Sequence, residues 1–243
     1  MNSPSKFIIV TPCFNEGSVI VSFLKRLEEV LSGLHHTFDI VVVDDSSIDD
    51  SLQHAKSFCF KSQNIRFHLL ELMYNVGHQS AIYQGLLYAK SIGSDHIIVM
   101  DSDGEDDPEA IPLLIQKQGY DIVAVKRGKR KESILFRTSY FLYRLLFKLV
   151  TGKKMDYGNY SMISTKMVER ITNTSFIHYP AYLLKQKASR TSIIFDRNKR
   201  LDGRSKMGMQ GLLFHAFRSF IEFAEDLLML FLKMFVVICI VIA

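Results

Sequence analysis

The chain has 243 residues, 48% of them hydrophobic and 23% charged, with a formal net charge of +5. That length and apolar content fill one large core or two small ones, so one catalytic-size domain plus an appendage is expected. Three cysteines, Cys13, Cys59 and Cys239, form no spacing motif. They cannot all pair with each other, which excludes a complete disulfide framework and points to a reducing compartment. Charge is uneven: residues 1–125 hold 8 Lys and Arg against 17 Asp and Glu, and residues 126–243 hold 22 against 8. A front half near −9 and a back half near +14 suggest a cation-assisted site in front. Behind it they suggest an anionic partner, either nucleic acid or a phosphate-bearing membrane surface.

From the N-terminus, "MNSPSKFIIVTPC" has only a short apolar run before Pro12 and lacks the h-region of a signal peptide. The catalytic part is expected in the cytoplasm, where the sequons at Asn159 and Asn173 have no meaning. Apolar runs of strand length follow at "FIIVT", "FDIVVVD", "IRFHLLEL", "HIIVM" and "YDIVAV". Between them lie helical patterns such as "EGSVIVSFLKRLEEVLSGL", with Gly33 near the stop. Strand and helix in alternation predict an α/β fold, a mostly parallel sheet covered on both faces.

Acidic groups follow the strand ends: Glu16 in "TPCFNEG", Asp44 and Asp45 in "VVVDDSSIDDS", Asp101 and Asp103 in "MDSDGED". A parallel sheet delivers all of them to one crevice beyond its carboxyl edge. Six of the nine positions from Asp101 to Glu109 are acidic. Two unpaired carboxylates 4 Å apart repel by roughly 1 kcal/mol in water and about 4 kcal/mol at an effective dielectric near 20, so a cation or free solvation must offset them. Asp106, Asp107 and Glu109 surround Pro108 and suit the first turn of a helix. Asp101 and Asp103 end an apolar run and are the metal or ligand candidates. Hard carboxylate oxygens suit Mg²⁺ or Mn²⁺, and no His or Cys stands at zinc-ligand spacing.

After Val125 the chain turns basic and aromatic, "KRGKRKESILFRTSYFLYRLLFKLVTGKK". This reads as a helix at a membrane surface, or as one packing its apolar stripe on the sheet. No RNA-binding module accompanies it, so nucleic acid is not an expected partner. The tail from Leu227 to Ala243 is apolar apart from Lys233. It reads as an interfacial helix or the start of a membrane segment, with a buried core helix as the alternative.

Taken together, "TPCFNE", "VVVDDSSIDDS", "YNVGHQSAIYQGL", "MDSDGEDDPE", "YGNYSMIS" and "RNKRLDGRSK" resemble a family 2 glycosyltransferase of GT-A (Rossmann-like) fold. The closer likeness is to the polyprenyl-phosphate branch that includes dolichol-phosphate mannose synthase, and it extends from Phe7 to about Arg218. The resemblance implies a catalytic domain over residues 1–210, with the basic segment 126–154 inside it, and C-terminal membrane-associated helices over 211–243. It implies transfer of a sugar from a UDP- or GDP-linked donor to an undecaprenyl or dolichyl phosphate, with inversion, on the cytoplasmic face of the membrane. Homo-oligomerisation is left open. By the same resemblance Pro12, Phe14 and Glu16 line the base and ribose pocket and Asp45 reads the base. Asp101 and Asp103 bind the metal, with Glu105 beside them where the branch usually has Gln. Arg127 and Arg137 grip the acceptor phosphate. Arg200, Ser205 and Lys206 match the element that closes over the donor and acceptor phosphates.

One departure stands out. The branch commonly reads "GDFRL" where this chain reads "GNYSM", so Asn159 and Ser161 replace an Asp and an Arg. Asn159 cannot take a proton, which favours an acceptor that is already ionised. Transfer to a hydroxyl of a lipopolysaccharide or other surface glycan, a receiver-like phospho-acceptor domain, and a catalytically silent relative remain the competing expectations.

Overall fold

The structure, a computed structural model, describes residues 4–128, 134–196 and 209–242, with the backbone alone at 134–139, 209, 210 and 212. Its strands are β1 (Lys6–Cys13), β2 (Thr37–Asp44), β3 (Ile65–Glu71), β4 (His96–Val99), β5 (Ile122–Arg127), β6 (Ser161–Ser164) and β7 (Arg190–Phe195). Its helices are α1 (Val19–Leu31), α2 (Ser51–Ser57), α3 (His78–Ile92), α4 (Ile111–Ile115), α5 (Ile134–Thr151), α6 (Thr165–Thr172), α7 (Tyr179–Lys185), α8 (Met209–Ile221) and α9 (Ala224–Ile242). A 3₁₀ turn, Pro108–Ala110, precedes α4.

The chain divides into two compact units, one of residues 1–129, 157–176 and 187–205, the other of residues 130–156, 177–186 and 206–243. This differs from a sequential division near residue 210. Most of the basic segment clusters with the C-terminal helices instead, because its aromatics find partners there. Tyr143 packs edge-on to Phe220, and Phe147 meets both Phe220 and Phe223.

In the first unit the seven strands lie in the order β3-β2-β1-β4-β6-β5-β7. All pairings are parallel except those of β6, which runs antiparallel to both β4 and β5. Phe7 to Val10 and Ile40 to Val43 are wholly buried, as central strands covered on both faces require. Helix α1 turns Ile20, Phe23, Leu24, Leu27 and Leu31 inward at helical spacing. Helix α3 lies tight on β1 and β2 at Gly85. A Cβ there would collide with Cγ1 of Val10 and sit 2.9 Å from Cγ2 of Val43.

Register decides where chemistry can occur. Cys13 stands opposite Asp44, and Val10 stands opposite Val99, so β1, β2 and β4 end at one edge. Because β6 is antiparallel, its start is at that same edge, which brings Asn159 and Tyr160 to the ends of the other strands.

In the second unit the Tyr143 hydroxyl and Ser219 Oγ lie 2.9 Å apart. The ammoniums of Lys153 and Lys185 donate to the carbonyls of Leu184 and Glu222, and each stands 5.7 Å from the buried Phe223 ring. Helix α9 has no buried residue. Among the described residues no helix is long and apolar enough to cross a membrane.

Candidate active site

The loops after β1 and β2 are knitted together. Asn15 and Ser46 both have left-handed backbone, with φ of 54° and 60°, a conformation costly outside glycine and concentrated at functional sites. The Asn15 N–H donates to Ser47 Oγ at 3.0 Å, and the Ile48 N–H donates to Asn15 Oδ1 at 2.9 Å. The Gly17 N–H is shared between Asp49 Oδ2 and Ser51 Oγ. Pro12 joins this edge to the acidic loop, since its carbonyl accepts the Ser102 hydroxyl at 2.8 Å. Phe14 is half-exposed beside it, and Glu16 begins the turn into α1, its carbonyl accepting the Val19 N–H. The Cys13 thiol is pushed up to about 12 by burial and by the nearby charges of Asp44 and Glu16, so it stays protonated.

Asp45 is held by backbone. Its N–H donates to the Cys13 carbonyl, and its carboxylate accepts the N–H groups of Val76 at 2.7 Å and Gly77 at 2.9 Å. Burial pushes its pKa up, and the two N–H groups act against that shift. The residue expected to read a base therefore also latches the turn that leads into α3. Asp44 accepts the Ser47 N–H through Oδ2, while its buried Oδ1 has no partner among the described residues.

The six acids of "DSDGEDDPE" separate by role. Asp107 caps the 3₁₀ turn by accepting the Glu109 N–H at 3.1 Å, and Glu109 pairs with Arg26 at 2.7 Å. Asp106, almost wholly buried, accepts the Asp101 N–H at 3.0 Å and so folds the loop back on itself. Asp103 Oδ1 accepts the Glu105 N–H at 2.9 Å. Asp101 Oδ1 faces two donors, Nε2 of His78 at 3.1 Å and Nδ2 of Asn159 at 3.2 Å. The side chain of Asn159 is oriented from behind by Gln79, whose Nε2 donates to Asn159 Oδ1 at 3.2 Å. Loss of water around His78 disfavours its charged form, but attraction to Asp101, Asp103 and Asp106 outweighs that and raises its pKa.

His78 is the residue the sequence pattern left without a role. It stands first in α3, directly after Gly77, and only the fold carries it to the end of β4. Arg127, at the carboxyl end of β5, lines a small cavity with Asp106, Asp107, Tyr160 and Asp196. Arg137 lies on α5, in the other unit, with its side chain outside the described residues. Arg200, Ser205 and Lys206 also fall outside them.

Among the described residues no three His, Cys, Asp or Glu side chains converge to hold a metal ion. Asp101, Asp103 and Glu105 thus form no closed cage. The two half-buried carboxylates of Asp101 and Asp103 on the loop after β4 still fit Mg²⁺ or Mn²⁺, which take one or two carboxylates and complete their shell with water and substrate phosphates.

A mostly parallel sheet whose strand ends present carboxylates beside a helix N-terminus is an α/β fold of GT-A type. The chain belongs to Glycosyl transferase family 2, whose profile matches residues 8–187. It is 28% identical over 222 residues to YkcC, an uncharacterised glycosyltransferase of Bacillus subtilis, covering 88% of this chain and 67% of that one. It is 35% identical over 159 residues to the undecaprenyl-phosphate 4-deoxy-4-formamido-L-arabinose transferase of Pseudomonas savastanoi pv. phaseolicola, covering 64% of this chain and 46% of that one. The chain therefore spans about half the length of relatives of that kind. Among solved structures, glucosyl-3-phosphoglycerate synthase of Mycobacterium tuberculosis, in complex with Mn²⁺, UDP and glucosyl-3-phosphoglycerate, superimposes with a TM-score of 0.63 at 16% identity, over 87% of this chain and 76% of that one. The mannosyltransferase PcManGT of Pyrobaculum calidifontis, in complex with GDP-Man and Mn²⁺, gives 0.62 at 16% identity, over 92% and 64%. At that identity both speak for the fold alone.

Proposed function

We propose that the chain transfers a sugar from a UDP- or GDP-linked donor to a polyprenyl phosphate, with inversion, at the cytoplasmic face of a membrane. The observation that carries this reading is the meeting of Asp101 and Asp103 with the loops after β1 and β2 at one sheet edge, in a chain of family 2. The undecaprenyl-phosphate relatives support the acceptor class.

Pro12, Phe14, Glu16 and Asp45 are assigned to the base and ribose. Asp101 and Asp103, with Glu105 adjacent, would hold Mg²⁺ or Mn²⁺, which would supply charge neutralisation for a diphosphate. Arg127 and Arg137 are assigned to the acceptor phosphate, and Arg200, Ser205 and Lys206 to closing over both phosphates. In the reaction the bond from the anomeric carbon to the β-phosphate oxygen breaks. A new bond forms from that carbon to an oxygen of the acceptor phosphate, and the nucleoside diphosphate leaves with the electron pair. Cationic side chains stabilise the charge that develops there. An ionised phosphate has no proton to lose, so the reaction runs with Asn159, a residue that takes none.

The test is incubation of the chain with candidate nucleotide sugars, Mn²⁺ or Mg²⁺, and undecaprenyl phosphate. Labelled sugar is expected in the organic phase, and Asp103→Ala is expected to lower its formation by at least a hundredfold while the fold survives. Label confined to water-soluble glycan would replace the acceptor. Near-normal turnover in the variant would remove Asp103 from the machinery.

A further inference from the structure

We propose that Asn159 is a positioning residue for Asp101, and that its neutral amide sets how strongly this site takes a divalent cation. The inference rests on the reading above and deepens it.

The geometry is a closed triangle. Asn159 Nδ2 lies 3.2 Å from Asp101 Oδ1 and 3.0 Å from His78 Nε2, and the third side, from His78 Nε2 to Asp101 Oδ1, measures 3.1 Å. A carboxylate oxygen has two lone pairs and accepts both donors. On the short side the Asn159 amide and the His78 imidazole are within hydrogen-bond distance of each other, so the three groups close around Asp101 Oδ1. The amide cannot turn over cheaply, because Gln79 Nε2 donates to Asn159 Oδ1 at 3.2 Å and Gln79 is itself 3% exposed. Asn159 is also nearly buried, at 8% exposure. The wiring crosses the molecule from the start of α3 to the residue before Tyr160 and β6, and its common target is the strand end where the donor diphosphate is assigned.

Charge makes the residue type matter. An aspartate at 159 would put a second carboxylate within van der Waals reach of the first, and like charges at that range strongly oppose one another unless a cation intervenes. With Asn159 the chain meets Asp101 with hydrogens instead. Asp101 is held in one orientation without extra negative charge, so cation binding relies more on the phosphates that the nucleotide brings.

Isothermal titration of Mn²⁺ into the full chain, with and without UDP or GDP, tests this. Asn159→Asp, nearly isosteric, is expected to tighten Mn²⁺ in the absence of nucleotide at least tenfold and to reduce the gain from adding nucleotide. Asn159→Ala is expected to weaken Mn²⁺ in the presence of nucleotide about tenfold. Gln79→Leu, which frees the amide to rotate, is expected to shift it the same way by a smaller factor. Wild type binding Mn²⁺ and nucleotide with all three variants within threefold of it would overturn the inference and leave the proposed function standing. Wild type binding neither would overturn both. A purely structural role would lower the melting temperature of Asn159→Ala and leave the Asn159→Asp titration unchanged.

Discussion

Asp121 shows how one side chain can organise several strands. It stands just before β5, where its Oδ2 accepts both the N–H and the hydroxyl of Ser189, and its Oδ1 accepts the Ser164 hydroxyl. One carboxylate thereby ties the start of β5 to the start of β7 and the end of β6. The hydrogen bonds from Ser189, first the hydroxyl and then the backbone, hold its pKa below the usual carboxylate range. A depressed carboxylate stabilises the fold above its unfolded pKa of about 3.9, and that stabilisation is lost as pH falls through the folded value. Wild type is therefore expected to melt higher than Asp121→Asn near neutral pH, with the gap closing as pH is lowered through 4 toward 3. A gap constant across that range in thermal melts would mean that the charge contributes nothing. Asp121 is only half-buried, so solvent screens its charge and the gap at neutral pH is expected to be small.

At the scale of elements, the contact of α3 with the sheet fixes where His78 and the Gly77 turn stand. Gly85 permits that contact, and its neighbours Val10 and Val43 are β-branched and stiff. Gly85→Ala is expected to destabilise the chain by about 1–3 kcal/mol despite the better helix propensity of alanine, because overpacking outweighs it. Chemical denaturation measures it, and an unchanged or raised midpoint would show that α3 can lift at no cost. The apolar runs in the sequence mark β1, β2, β4 and β5 because these interior strands are covered on both faces and carry aliphatic runs, and they mark the edge strand β3 through "IRFHLLEL" although most of its residues are half-exposed. They do not mark β6, four residues with serine at both ends, or β7, whose residues are mostly half-exposed. Neither local pattern tells that β6 inserts antiparallel between β4 and β5. Site legibility follows the same line. Asp45, Asp101 and Asp103 are visible because each ends an apolar run. His78 is a single histidine in a helix start, and its partner Asp101 becomes its neighbour only through the sheet order. The identity of Asn159 was readable as a departure, whereas its bond to Asp101 was not.

At the scale of the whole molecule, the division into units adds meaning to the charge asymmetry. The second unit contains eleven Lys and Arg against five Asp and Glu in sequence. Its helices also expose large apolar side chains: Phe141, Leu145 and Leu149 on α5, Phe214 and Phe217 on α8, and Phe231 and Phe235 on α9. Exposed apolar surface on this scale is costly in water, and cations interleaved with it match an anionic headgroup layer over hydrocarbon. The two contributions respond differently to salt. Attraction of Lys and Arg to anionic lipid is worth about 1 kcal/mol per residue near the surface and is screened within a Debye length of about 8 Å at physiological ionic strength. Burial of apolar side chains is not screened. The full chain is therefore expected to cosediment with vesicles containing anionic phospholipid and to bind purely zwitterionic vesicles more weakly. Raising salt to about 1 M, where the Debye length falls to about 3 Å, is expected to weaken the first without abolishing it. Complete release at high salt would make the association electrostatic alone. Equal binding to both vesicle types would make it apolar alone, and no binding to either would leave the exposed faces of α5, α8 and α9 to a protein partner.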